Sequence, residues 1–180
     1  QELGAIWGYV THGIAKSQSE MDEWTKDNNP SWGSGWGEGD IMFEDLNGDK
    51  VINEGANTVD DPGDRKIIGN STPRFRFGLD LGVEWKGIDF TAFFQGVGHR
   101  SIMFPNRGDT WTEQTVLNIW SDAYSPDNTD GKYPRVGGTG SKGANGQASS
   151  FWLMNGNYFR CKNIELGYTL PKQWVNSIGV

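Results

Sequence analysis

Residues 74–96 read RFRFGLDLGVEWKGIDFTAFFQG, and the period of this stretch decides the fold. From Phe75 the apolar residues take every second position, Phe75, Phe77, Leu79, Leu81, Val83 and Trp85, with Arg74, Arg76, Gly78, Asp80, Gly82 and Glu84 between them. A period of two marks a strand. After Lys86-Gly87 the alternation resumes, with Ile88, Phe90, Ala92 and Phe94 set against Asp89, Thr91, Phe93 and Gln95. A two-residue turn puts Trp85 opposite Ile88, Val83 opposite Phe90 and Leu79 opposite Phe94, so a single register gathers the apolar residues of both strands on one face. Lys-Gly is a weaker turn pair than Asn-Gly, because Lys gains little at positive φ, but agreement of the two strands on one register offsets this. The same register sets Glu84 against Asp89, a like-charge pair that needs water or a cation. Each strand has the roughly 9 to 11 residues that cross a bilayer when tilted. A soluble antiparallel sheet with one side on a core carries the same alternation.

Composition narrows the class. Only 35% of the 180 residues are hydrophobic, while 26 are Gly and 9 are Trp, which is a loop-rich, aromatic-rich β composition. A net charge of -7, with no run of Lys and Arg longer than two, argues against nucleic acid as a partner. Cys161 is the single cysteine, so the chain forms no internal disulfide and no cysteine metal site. No apolar run reaches the 18 residues of a membrane helix, and the first residues lack a signal-peptide pattern; spanning strands need neither. No nucleophile, base and orienting group recur at a recognisable spacing, and the chain is read as non-enzymatic.

Along the chain, residues 4–14 predict a short strand interrupted by turns. Ser17 with Glu20 is a capping-box spacing, and Met21 and Trp24 share one side, predicting a short helix to about Lys26. Residues 28–39, NNPSWGSGWGEG, read as an exposed loop carrying Trp32 and Trp36. Ile41–Phe43 is a brief strand. Trp111–Trp120 has apolar residues at helical spacing with Thr112 as a cap. Residues 125–150 are too polar and Gly-rich to bury themselves, and read as a mobile connection or a binding loop. Asn155-Gly156, the preferred type I′ pair, predicts a second hairpin between FWLM and a long strand over Tyr158–Leu170, whose far side has no partner.

Asp45, Asn47 and Asp49 stand at positions one, three and five of a calcium-loop pattern. The Val51 carbonyl falls at seven and Asn53 at nine. These five residues are the candidate Ca²⁺ ligands. Lys50 occupies position six, where Gly makes the sharp turn, and Ala56 occupies twelve, where a bidentate carboxylate closes the site. Glu54, Asp60 or Asp61 would have to reach back instead. The alternative is an Asx-rich turn whose side chains accept local backbone N–H bonds.

Four blocks occur in order: GDIMFEDLNGDKVIN, IIGNSTPRFRFGLDLGVEWKGIDFTAFFQGVG, WSDAYSPDNTDGKYPRV and SSFWLMNGNYFRCKNIELGYTLPKQW. From Gly4 to the C-terminus they resemble the C-terminal barrel region of SusC/RagA-type TonB-linked outer-membrane proteins. In that family the acidic loop commonly reads DLNGDG, from which Lys50 departs. The resemblance implies an all-β fold: antiparallel hairpins from part of a transmembrane β-barrel, with long loops and one or two short helices. On that reading 1–180 is a partial C-terminal barrel segment. Residues 1–73 hold a strand, a short helix and the Asp-rich loop, 74–96 a hairpin, 97–150 an extracellular-type loop with a short helix, and 151–180 the second hairpin. The family's plug and TonB box, and a further strand pair, are expected to lie outside the sequence.

The implied function is nutrient import across the bacterial outer membrane. Glycans or peptides are taken up with a SusD-like surface lipoprotein and with energy relayed by TonB. Arg74, Arg76, Asp80 and Glu84 would face the lumen, the apolar residues of 75–85 the membrane lipid, and Trp85, Tyr168 and Trp174 an interfacial belt. Alone, the segment is expected neither to transport nor to insert, since its sheet edges stay unpaired. The reading from another class is a secreted, calcium-stabilised carbohydrate-binding module with Trp7, Trp24, Trp32, Trp36, Trp111 and Trp152 as a sugar-stacking face.

Overall fold

The computed structural model describes residues 2–105, 118–136 and 145–177. Among the described residues, nine strands and two α-helices follow in order: β1 (Ala5–Tyr9), β2 (Thr11–Ile14), α1 (Gln18–Asp27), β3 (Ile41–Phe43), β4 (Arg65–Asn70), β5 (Phe75–Trp85), β6 (Ile88–Gly98), β7 (Ser101–Met103), β8 (Leu153–Asn155), β9 (Tyr158–Tyr168) and α2 (Lys172–Ser177). The chain divides into two units, one formed by residues up to Asn70 together with Ile102–Met154, the other by Ser71–Ser101 together with the chain from Asn155.

The second unit is an antiparallel sheet in the order β5-β6-β9. Its β5–β6 register is the one alternation predicts: Trp85 opposite Ile88, Val83 opposite Phe90, Leu79 opposite Phe94 and Glu84 opposite Asp89. Lys86 and Gly87 have φ of 48° and 84°, the two positive values a type I′ turn requires. The Lys86 ammonium lies 4.8 Å from the centre of the Trp85 ring, a contact that helps a non-Gly residue hold this conformation.

On β6–β9 the register shifts between Phe93, opposite Asn163, and Phe94, opposite Cys161, which leaves Lys162 as the extra residue of a bulge. The sequence requires it. Apolar residues of β9 fall on odd numbers at Phe159 and Cys161 and on even numbers from Ile164, so an unbulged strand would carry Lys162 on the apolar face and Phe159 on the polar one. Gly96 admits another close contact, because a Cβ there would run into the Phe77 ring. Phe77 and Phe94 both stack on Phe159, with centroids 6.0 and 5.5 Å apart.

The second predicted hairpin does not form. β9 pairs with β6, and β8 pairs with β7. Neither Asn155 nor Gly156 has positive φ. The Asn155 side chain accepts the Asn157 N–H at 2.9 Å, and the Gly156 N–H donates to the Arg100 carbonyl at 2.8 Å. Asn-Gly thus serves an Asx turn joining two strands that pair elsewhere.

In the first unit, β1 pairs with β4 and β2 with β3, both antiparallel and each with one irregularity. β4 was not foreseen. Helix α1 has the predicted cap: the Ser17 hydroxyl accepts the Glu20 N–H at 3.3 Å, while Glu20 accepts the Lys16 N–H at 2.6 Å. Met21 and Trp24 are its buried residues, packed in a core with Tyr9, Ile41, Phe43, Ile52, Tyr124 and Trp152. Burial pushes the Tyr9 phenol up to about 12, so it stays neutral.

The exposed-loop reading of 28–39 is corrected. Its backbone is irregular, but Trp32 lies 4.6 Å from Tyr9 and Trp36 5.6 Å from Trp24, both packed against the core. Nor is 97–150 bare loop. β6 runs on to Gly98, and Tyr124 is buried. Of the predicted helix at 111–120, residues 111–117 lie outside the described residues, and Asn118–Asp122 is a one-turn 3-10 helix.

Candidate functional site

The sheet is the part of the chain with two chemically opposed faces. Through the registers, one face collects Phe75, Phe77, Leu79, Leu81, Val83 and Trp85 of β5, Ile88, Phe90, Ala92 and Phe94 of β6, and Phe159, Cys161, Ile164, Leu166 and Tyr168 of β9. Apart from buried Ala92 and half-buried Phe94 this face is exposed; Leu81 and Leu166 are 46% and 75% exposed. A soluble sheet would cover such a face with a second layer.

The opposite face carries Arg76, Asp80 and Glu84 of β5, Asp89, Thr91 and Gln95 of β6, and Tyr158, Arg160, Asn163 and Glu165 of β9. Charge is segregated along it. Asp80, Glu84, Asp89 and Glu165 lie toward the Lys86-Gly87 turn, while Arg76 and Arg160 lie toward the other end. A concavity beside the turn is lined by Glu84, Asp89, Trp85 and Lys86, and a smaller one at the far end by Arg76, Arg100, Gln95 and Tyr158.

The acidic loop is held by its own side chains. Asp45 accepts the N–H groups of Asn47 and Gly48 on Oδ1, at 3.2 and 2.7 Å, and that of Lys50 on Oδ2 at 2.7 Å. Asn47 Oδ1 accepts the Asp49 N–H, and Asp49 accepts the Val51 N–H and the Asn47 amide. Asn53 Oδ1 accepts the Gly55 N–H, and its amide donates to the Val51 carbonyl. Lys50 has φ of 67°, the left-handed geometry that position six of the pattern demands. Burial acts to raise the Asp45 carboxyl, but the Lys50 and Gly48 N–H groups, the Asp64 side chain and the Asn47 N–H outweigh it and hold Asp45 below the usual carboxylate range.

Of the carboxylates expected to reach back, Asp61 accepts the Ala56 N–H and Glu54 pairs with Arg65 at 3.8 Å. The one that does reach back is Asp64, fully buried, which accepts the N–H groups of Leu46 and Asn53 at 2.8 Å each. Among the described residues no three His, Cys, Asp or Glu are grouped to hold a metal.

Sequence reasoning missed the buried polar centre of the first unit. Asp40 has no exposed surface. Arg135 donates to both its oxygens, from Nε at 2.8 Å and Nη2 at 2.7 Å, and Asn145 Nδ2 donates to it at 2.9 Å. Asn145 in turn accepts the Ile41 N–H, and its carbonyl accepts from Trp152 Nε1 at 2.7 Å. Hydrogen bonding to Asp40 raises the Arg135 pKa further above its ordinary value. The partners are 95 and 105 residues apart, and only the block WSDAYSPDNTDGKYPRV marked Arg135 beforehand.

The sugar-stacking face does not assemble. Trp24 and Trp152 are buried, Trp32 and Trp36 are packed on the core, Trp7 is half-buried in β1, and Trp111 lies outside the described residues.

No protein-family model matches the chain. It is 27% identical over 189 aligned residues, spanning the whole chain, to TonB-dependent receptor P3 of Formosa agariphila, and 26% identical over 149 residues, 79% of the chain, to TonB-dependent receptor P26 of the same organism. The chain spans 16% and 14% of the length of these two relatives. Among solved structures, a RagAB peptide transporter superposes on 98% of this chain and 17% of its own, with a TM-score of 0.60 and 20% identity. The RagAB peptide importer in an open-open state superposes on 94% of this chain and 16% of its own, with a TM-score of 0.57 and 20% identity.

The fold is therefore that of part of an outer-membrane β-barrel protein. Within that class the chain is similar along its whole length to TonB-dependent receptors of the bacterial outer membrane, and its fold is that of the matching part of the RagAB transporters. Its relatives are receptors and not enzymes.

Proposed function

We propose that the whole protein imports a peptide or a glycan across the outer membrane, drawing on TonB for energy and on a SusD-like surface lipoprotein as a lid, and that this segment supplies wall and loop. The observation that carries the reading is the sheet, whose eleven-residue strands keep an uncovered apolar face against a polar one. The apolar face meets lipid, the polar face lines the lumen, and Trp85 and Tyr168, on neighbouring strand ends, suit the headgroup boundary. The test is uptake of labelled oligopeptides and labelled oligosaccharides by cells carrying the full-length receptor, with and without TonB. We expect TonB-dependent accumulation of one of the two classes. Equal uptake by cells lacking the receptor gene would sink the reading.

For the acidic loop we infer an Asx-supported turn to which Ca²⁺, through Asp45, Asn47, Asp49, the Val51 carbonyl and Asn53, adds only weak binding, in the roughly 10⁻⁴ to 10⁻³ M range of extracellular modules. The internal hydrogen bonds support this, since calcium has to compete with backbone N–H groups for the same oxygens. Isothermal titration of chelator-stripped protein should give no saturable heat below about 0.1 mM Ca²⁺. Tight binding that Asp45→Ala with Asp49→Ala abolishes would overturn it.

A further inference from the structure

At the end of the sheet remote from the Lys86-Gly87 turn, the polar face forms a cavity of about 410 Å³ whose lining includes Ser71, Thr72, Arg76, Gln95, Arg100 and Tyr158. Its volume falls within the roughly 300–1,000 Å³ of small-molecule sites, and near their lower limit, so it admits one residue-sized group and not a length of chain.

Three observations give this cavity a chemical preference. First, Nε of Arg100 is buried and has no hydrogen-bond partner among the described residues. A guanidinium N–H out of water without an acceptor carries the full cost of its lost hydration, and the Arg100 side chain, which lines the cavity, makes no hydrogen bond to a described residue. The loop itself is tied through the Arg100 backbone, its N–H to the Asn157 side chain at 2.9 Å and its carbonyl to the Gly156 N–H at 2.8 Å.

Second, neither Arg76, Arg100 nor Arg160 is in an ion pair among the described residues. The registers explain why. Gln95 stands opposite Gly78 and Arg160, and Val97 stands opposite Arg76 and Tyr158, so the cross-strand neighbours of both arginines are uncharged. The carboxylates of this face, Asp80, Glu84, Asp89 and Glu165, all lie further toward the turn.

Third, the wall is ordered by stacking. The Arg160 guanidinium sits 4.7 Å from the centre of the Tyr158 ring, a contact that helps hold this lining residue in place.

We propose that this cavity is a subsite for a carboxylate group of the imported solute, with the Arg76 and Arg100 guanidinium groups as its charged donors and Gln95 as a neutral one. The proposal rests on the import reading and names the substrate chemistry that goes with it. A guanidinium group matches the planar, two-oxygen face of a carboxylate, and a small cavity lined by two of them suits an end group or a single acidic unit. Both solute classes carry such a group: a peptide has its C-terminal carboxylate, and an acidic glycan its uronate.

The experiment is isothermal titration of the purified full-length receptor with four probes. They are an oligopeptide ending in a free carboxylate, the same peptide as its C-terminal amide, an oligouronate, and a neutral hexose oligomer of equal length. Wild-type receptor should bind one of the two acids about tenfold more tightly than its uncharged counterpart, as expected for one charge-assisted contact. Whether peptide or oligouronate is preferred identifies the source of the carboxylate.

Arg76→Gln, at an exposed position where misfolding is not expected, should remove that preference while changing affinity for the uncharged probe less than about twofold. Arg76→Lys should retain part of it. Arg100→Gln should behave like Arg76→Gln, and Lys26→Gln, on the surface of α1, should leave the preference intact. Absence of a preference in the wild-type receptor, or equal loss of acid and neutral binding in Arg76→Gln, overturns the proposal. Uptake by cells is scored separately, so a failed subsite with intact TonB-dependent uptake is distinguished from a failed import reading.

Discussion

Arg135→Ala is expected to destabilise the first unit by about 3–5 kcal/mol, because it leaves the fully buried Asp40 carboxylate without the one cationic partner it has among the described residues. The loss is larger than that of an exposed ion pair. Asp40 has no water to turn to, and its remaining donors, the Asn145 amide at 2.9 Å and the Gly37 N–H at 3.0 Å, are neutral. The effect should spread through Asn145 to the Ile41 N–H and to Trp152, whose ring packs with Phe104, Trp120, Tyr133 and Phe151. Hydrogen exchange in the full-length receptor reads this directly: the Gly37 and Ile41 amides should exchange at least about 100-fold faster in the variant. Adding Asp40→Ala to Arg135→Ala should recover part of the loss, since it removes the stranded charge. Unchanged protection in the single variant, or a double variant worse than the sum of the two singles, would count against this account.

Leu81→Arg is expected to cost the full-length receptor about 2–4 kcal/mol of stability in the membrane, the cost of an arginine at the lipid midplane of a barrel. Leu81 is near the middle of β5 and opposite Ala92, as far from either boundary as the strand allows. Asp80→Arg, one position away on the polar face, is the matched control and should cost little, because that side chain meets water. Urea unfolding in lipid vesicles, or the amount of folded receptor recovered from outer membranes, separates the two. Equal effects would mean that the two faces do not differ in solvent.

What the sequence made legible was local. The β5–β6 register could be read in full because both strands alternate and two residues join them, and the Ser17 cap because Glu20 and the Met21-Trp24 spacing agree with it. The bulge at Lys162 is also legible, as a change from odd to even positions between Cys161 and Ile164, although reading Tyr158–Leu170 as one uninterrupted strand conceals it.

The failures share a different cause. Asn155-Gly156 has strong turn chemistry, but turn chemistry does not choose a strand's partner, and β9 found its partner some 70 positions earlier in β6. Trp32 and Trp36 sit among Gly and Ser, where composition predicts exposure, yet the rings close over Tyr9, Trp24 and Phe43. The Asp40–Arg135–Asn145 cluster is assembled from three distant segments, each of which alone looks like surface.

Gly96 has a consequence for the wall as an insulator. A glycine in the central strand of a membrane-facing sheet is a thin place, since no side chain of its own screens the backbone amides from the opposite medium. The rings of Phe77 and Phe159, one from each neighbouring strand, meet across it at 6.0 Å and lie nearly parallel, at 18°. They form a lid of hydrocarbon over Gly96, which with Gly98 at the strand's end is one of two positions on that face of β6 without a side chain. Seen this way, the stacked phenylalanines keep the peptide dipoles of β6 electrically sealed, so that lipid on one side and water on the other never share a hydrogen-bonding site.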